Sequence, residues 1–316
     1  MNTFIYTDQE AYNDLTECTI CPRSCKVDRT RRKAGYCKTD AGFNVSSICI
    51  HKGEEPVISG THGICNVFFG HCNLQCIFCQ NYQISQNGTS LNQFGTIEEI
   101  TQAIISNLEK GCKAVGFVSP SHMVPQMIMI INSLHRKNYY PTIVYNSNGF
   151  DKVETLKKLE GIIDIYLPDF KYSSNVHGNH YSDVENYYNI AFDALKEMYR
   201  QMGPVVISDD QNTAIRGLIV RHLVLPGHVE NSINILKLLA SEFSTKLSIS
   251  LMSQYNPGYK AVGHGTLGNT LSKEEYMQVC KVMEDLGFRN GWIQEMDSNI
   301  EYLPDFSWEH PFERSA

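Results

Sequence analysis

From about residue 61 onward, short runs rich in β-branched and aromatic residues alternate with stretches whose apolar residues recur every three or four positions. The first pattern marks buried strands and the second amphipathic helices. Strands are expected at Gly63 to Phe69, Ala114 to Val118, Thr142 to Tyr145, Ile162 to Leu167, Leu218 to Leu225 and Leu247 to Met252, with a short last one at Gly291 to Gln294. Helices are expected between them. Ile97 to Lys110 has Thr96 as N-cap and Glu99 at the capping-box position. The others are Val124 to Arg136, Val153 to Leu159, Ala191 to Gln201, Ser232 to Glu242 and Lys273 to Leu286.

Strand–helix alternation at this spacing means βαβ units and a parallel α/β sheet. Six or seven such units suit a closed or nearly closed barrel, and an open doubly wound sheet fits as well. Either arrangement puts functional residues at the C-terminal ends of the strands. Residues 1–60 are cysteine-rich and weakly periodic. The expected division is therefore an N-terminal extension over 1–60, a core domain over 61–300 and a tail over 301–316. No fixed-period repeat or low-complexity tract is visible.

Composition narrows the class. The 316 residues are 42% hydrophobic, as in a globular protein with a sizeable core. A formal net charge of −7 argues against a general nucleic-acid surface. The one dense basic run, Arg29, Arg31, Arg32 and Lys33, is short. The first residues carry no basic n-region and no apolar core, and the longest apolar stretch, Met127 to Ile131, is far too short to span a bilayer. A cytoplasmic protein with reduced thiols and no membrane partner is expected.

Eleven cysteines change the picture, because nine fall within the first 79 residues. In a large chain of this kind, metal or cluster ligation is a better reading than disulfides. In GHCNLQCIFCQN, Cys72, Cys76 and Cys79 form C-x3-C-x2-C directly after the first expected strand. Three thiolates can wrap one iron–sulfur cube from a loop. A [4Fe–4S] cluster normally takes four, so three leave one iron open to bind a small molecule. Zinc on the same residues would need a fourth ligand, with His71 nearest.

C-x3-C-x2-C with an aromatic residue, Phe78, before the last cysteine resembles the radical S-adenosylmethionine (SAM) signature. CTICPRSC, GICNVFFGHCNLQCIFCQN, GFVSPSHMVP, IYLPDFKY, IVRHLVLPGH and SQYNP resemble, more closely, the uncharacterised homologues of pyruvate formate-lyase activating enzymes. The resemblance covers roughly residues 61–300. It implies a partial (β/α)6 TIM-like barrel and an oxidoreductase in which SAM chelates the open iron. It further implies reductive cleavage of SAM to a 5′-deoxyadenosyl radical, with flavodoxin or ferredoxin as electron donor. A glycyl-radical enzyme or other protein would be the substrate.

Further candidates follow the strand-end rule. Many proteins of this family carry Gly-Gly-Glu after the second strand. Here the stretch reads Val118-Ser119-Pro120-Ser121-His122, where Ser119 and His122 are candidates for SAM or substrate. Asp169 and Lys171, two apart, point the same way. The resembling enzymes have Asp-x-Lys at a similar place; a rim ion pair is the alternative. Asn146 and Asn148 are candidates for the adenosyl group, or an ordinary turn before Gly149. Arg221 and His222 face opposite ways, and Arg221 is favoured for a carboxylate. Gln254 and Tyr255 follow the sixth strand.

Cys18, Cys21, Cys25 and Cys37 form a second set, C-x2-C-x3-C-x11-C, suited to structural zinc or a second iron–sulfur centre. Cys49, Cys65, Cys112 and Cys280 are isolated and read as packing residues. GHGTLG at Gly263 to Gly268 matches a nucleotide fingerprint but lies late in the chain, after a polar insertion, and reads as a loop over the barrel mouth. Two further functions stay open: radical SAM modification of another protein, peptide or small molecule, and a non-catalytic iron–sulfur electron carrier.

Overall fold

The computed structural model describes residues 6–88, 93–296, 303–308 and 310–312. Helix α1 (Asp8–Asn13) leads into a cysteine-bearing loop and then strand β1 (Val45–His51). The short α2 (Pro56–Ser59) follows, then β2 (Ile64–Phe69), the short α3 (Tyr82–Ser85), α4 (Ile97–Glu109) and β3 (Ala114–Val118). The chain continues through α5 (Val124–Arg136), β4 (Thr142–Ser147), α6 (Val153–Lys158), β5 (Ile165–Pro168), α7 (Asn175–Ser182) and α8 (Tyr187–Met202). It closes with β6 (Ile207–Ser208), β7 (Ala214–Leu223), α9 (Val229–Glu242), β8 (Ser248–Met252), α10 (Lys273–Asp285) and β9 (Gly291–Ile293).

The main path of the sheet runs β1-β2-β3-β4-β5-β7-β8-β9, with β6 attached to β7. From β2 to β9 along this path every pairing is parallel, so helical crossovers connect six βα steps. This is the expected α/β architecture of the partial-barrel kind. Every residue of β2, β3 and β8 is buried, as in a sheet covered on its faces. In α5, Met127, Ile130, Ile131 and Leu134 bury one continuous stripe. Each such side chain stabilises the fold by about 1.5–3 kcal/mol before entropy is counted. Thr96 with Glu99 and Ser272 with Glu275 form capping boxes that satisfy the first amides of α4 and α10.

Several boundaries differ from the periodicity. β4 continues through Asn146 and Ser147, because Asn146 pairs with both Val118 and Leu167 in the ladder. β5 begins three residues later than expected, since the Asp164 carboxylate leaves the ladder to accept from Ile143 N at 2.8 Å. β7 starts earlier, at Ala214, and ends at Leu223. α8 and α9 each begin a turn or so earlier than their apolar stripes. α7, a polar helix without a strong stripe, gave no periodic signal. β1 also escaped notice. It pairs antiparallel with β2, so Val45–His51 of the cysteine-rich region joins the main sheet.

Candidate functional site

A cavity of about 190 Å³ opens at the C-terminal ends of the parallel strands. Its wall takes Phe68 from β2, Val118 from β3, Asn146 from β4, Asp169 after β5, Arg221 from β7 and Met252 from β8. Parallel strands end on one side, which is why residues so distant in sequence converge there.

Cys72, Cys76 and Cys79 all line this cavity. Their loop leaves β2 through His71, whose φ of 64° turns the chain sharply, and His71 N donates to Ile84 O at 2.7 Å. The loop backbone docks on the end of α7: Gln75 N donates to Ser182 O at 3.2 Å and Ile77 N to Tyr181 O at 2.9 Å. Asn148 Nδ2 and Leu74 N each approach Cys72 Sγ at 3.4 Å. Cys76 Sγ lies 3.0 Å from Ser182 Oγ, and Cys79 Sγ 3.1 Å from Ser85 Oγ. Burial pushes the Cys72 thiol up to about 12 and the Cys79 thiol up to about 11, and raises Cys76 too. Thiols held protonated in this way ionise only with a cationic partner among them. Among the described residues no three His, Cys, Asp or Glu side chains converge on a single-ion position. Three cysteines with no fourth among the described residues lining the cavity are the donor set of a cluster with one iron left open.

Lys171 and Asp169 also face this cavity and form an ion pair. Burial draws the Lys171 ammonium down, but Asp169 and the nearby Cys76 sulfur more than offset that, so its pKa is raised overall. Arg221 reaches Glu54 at 3.0 Å, Glu55 at 3.6 Å and Asp169 at 3.7 Å. Asn146 Nδ2 donates to Glu54 Oε1 at 3.4 Å. Two cations therefore face three carboxylates. Burial, with Glu54 adjacent, raises the pKa of Glu55, the deepest of them, even though Arg221 works against the shift. Sequence reasoning missed Glu54 and Glu55. The only signal was two adjacent acids before Pro56, on a turn outside the strand-end rule.

Ser119 lines the cavity in a left-handed conformation, φ 50°, its N donating to Asn146 O at 2.7 Å. Asn148 and Gln254 line it too. His122 is not among the lining groups. It lies buried behind them, Nε2 at 3.0 Å from Gly70 O, and burial pushes its pKa down to about 3, so the ring is neutral. Tyr255 is also set back, donating to Leu267 O at 2.5 Å and packing on Phe78. His222 faces the helices, bonded to Phe170 O and Ser232 Oγ. The GHGTLG stretch forms a loop with a short 3-10 turn at Gly265–Gly268. Cys18, Cys21, Cys25 and Cys37 come together around a separate, smaller cavity. Of the tail expected over 301–316, residues 301–302, 309 and 313–316 lie outside the described residues. Phe312 of its described part lines the main cavity and packs on His51, ring centroids 4.0 Å apart. Among the described residues, no helix is long and apolar enough to cross a membrane.

A family model described as the radical SAM superfamily matches residues 66–239. A protein of Methanocaldococcus jannaschii, itself described as uncharacterized, is 30% identical over 278 residues, covering 87% of this chain and 76% of its own length. Among solved structures, Streptococcus suis SuiB bound to its precursor peptide SuiA aligns with a TM-score of 0.47 at 9% identity, over 75% of this chain and 50% of that one. HydG, a maturase of the [FeFe]-hydrogenase, aligns with a TM-score of 0.49 at 14% identity, over 76% and 54%. The chain spans about half the length of these two proteins.

Proposed function

The chain belongs to the radical SAM superfamily, and from that premise we propose that Cys72, Cys76 and Cys79 hold its [4Fe–4S] cluster with one iron left for SAM. The membership itself carries radical enzyme chemistry, with SAM and an iron–sulfur centre as cofactors. The observation that supports the assignment is the joint exposure of all three thiols to one strand-end cavity. When bound, the reduced cluster supplies one electron to cleave SAM to methionine and a 5′-deoxyadenosyl radical, which takes a hydrogen atom from substrate.

The surrounding residues bind, orient and exclude water. Ser119, Asn146 and Arg221 are the proposed SAM contacts, and Asn146 and Arg221 are held in place through Glu54. Asp169 and Lys171 are the proposed catalytic-site pair, with the ammonium beside Cys76 and Cys79 to balance thiolate charge. Phe68, Phe78 and Phe312 line the cavity with apolar surface, which limits water around a reactive species. The reaction type we favour is that of glycyl-radical activation, on the resemblance of the motifs to those of activating-enzyme homologues. The substrate is then a glycine of a partner protein, and flavodoxin or ferredoxin delivers the electron.

The test is anaerobic. The protein is reconstituted with iron and sulfide, reduced with dithionite, and given SAM, and 5′-deoxyadenosine is quantified by chromatography. Wild type is expected to form it and Cys76→Ala to form none. A wild-type protein with a full, reducible cluster and no product overturns the reading. Appearance of a glycine-centred doublet in the electron paramagnetic resonance (EPR) spectrum of the partner protein tests the glycyl-radical assignment separately.

A further inference from the structure

We propose that Cys18, Cys21, Cys25 and Cys37 hold a second, closed iron–sulfur cluster. Three observations carry this. The first is convergence: four cysteines from a stretch with little regular structure line one small cavity. Cys18, Cys21 and Cys37 are buried and Cys25 is partly so.

The second is charge. The cavity wall also carries Arg23 and Arg29 but no carboxylate. Arg29 is only 1% exposed, and among the described residues neither arginine has a carboxylate oxygen within 4.0 Å. Arg29 donates instead to Asp40 O at 3.0 Å and His122 O at 2.8 Å, and its Nη1 lies 4.0 Å from Cys18 Sγ. A guanidinium stays charged in proteins, and burying one without an anion is costly. Four thiolates around a cluster supply that anion, since their charge exceeds that of the metal core.

The third is local construction. Ser24, Lys26 and Lys38 adopt left-handed backbone conformations, with φ of 42°, 55° and 59°, directly beside Cys25 and Cys37. Non-glycine residues hold such geometry only where surrounding structure imposes it. Gly35 is required for space: a Cβ there would lie 2.7 Å from Cys25 Sγ. Tyr36 N lies 3.3 Å from the same sulfur, an orientation that favours an anionic acceptor.

Zinc on the same four thiolates is the competing occupant, and the iron, sulfide and zinc counts below separate the two. The two sites are also joined. Arg29 holds the His122 carbonyl, His122 holds the Gly70 carbonyl, and Arg23 Nε donates to Asn73 O at 3.1 Å, so both ends of the Cys72 turn rest on the N-terminal loop.

The test uses the full chain with Cys72→Ala, Cys76→Ala and Cys79→Ala combined, reconstituted anaerobically. Iron, acid-labile sulfide and zinc are counted per chain, with Mössbauer spectra. Retained iron with matching sulfide is expected, lost when Cys21→Ala and Cys25→Ala are added. An iron-free triple variant beside a clustered wild type overturns the proposal. Stoichiometric zinc that departs with Cys21 and Cys25 overturns the iron–sulfur assignment in favour of a zinc centre. A control free of folding defects uses wild type alone: SAM should perturb only part of the Mössbauer absorption, and a spectrum perturbed as a whole overturns the second cluster. If the triple variant keeps all the iron of the wild type, the assignment at Cys72 fails and this one stands.

Discussion

Arg221 and Glu54 meet at 3.0 Å across the cavity mouth although 167 positions separate them in the chain. Their side chains are 15% and 8% exposed, so the pair is desolvated, and each is costly to leave alone. Arg221→Met should destabilise the protein by about 3–5 kcal/mol, because it strands Glu54 and Glu55 as buried carboxylates. A double substitution, Arg221→Met with Glu54→Gln, should recover part of that loss. Denaturant midpoints for the two single variants and the double variant form the cycle that measures it. Strict additivity would show that the two side chains do not act as a pair.

Glu55 sets a pH dependence. Its folded pKa lies above its unfolded one, chiefly from burial. The folded state therefore binds this proton more tightly than the unfolded state. The contribution is full below the unfolded value of about 4.3 and declines as pH rises towards the folded one. Glu55→Gln should remove that decline and be at least as stable as wild type at pH 8. Urea midpoints from pH 4 upward decide this; parallel profiles for the two proteins would refute it.

Lys171 is a cation whose charge acts on Cys76 and Cys79. Lys171→Met leaves Asp169 without its ammonium and removes positive charge beside Cys76 and Cys79. The reduction potential of a cluster on those cysteines should become more negative, and 5′-deoxyadenosine should form more slowly at a fixed poise. An EPR-monitored redox titration reads the shift. An unchanged potential would mean that Lys171 does not sense the cluster.

Gly149 permits the turn that follows β4. Its φ is 81°, and a Cβ there would meet Asp169 O at 2.2 Å, a backbone atom that cannot swing aside. Gly149→Ala should cost upwards of about 3 kcal/mol and displace Asp169 with it. Thermal unfolding of the variant checks the cost. Retention of wild-type stability would show that the β5 end is softer than its packing implies.

Much of this was legible beforehand because local patterns carried it. The capping box at Thr96 and Glu99, the span of α5 and the strand Ala114–Val118 match their periodicity to the residue or nearly so. The cysteine spacing was read directly, since its ligand geometry is contained in one loop. Asn146 was placed after its strand because a polar residue looks like a terminus, whereas its ladder partners keep it inside. The polar α7 went unseen, yet Tyr181 and Ser182 at its end anchor the Cys76 loop.

The sequence alone determined the class of the protein: its βαβ order, its parallel strands and the three-cysteine motif, all properties of neighbouring residues. The tertiary structure decided which strand ends share a cavity. It set His122 behind the wall, brought Glu54 and Glu55 against Arg221, and buried Arg29 at a cavity lined by four cysteines and, among the described residues, by no carboxylate. The physical reason is that periodicity records which face of an element is buried, whereas charge pairing across a barrel depends on which distant elements the packing brings together.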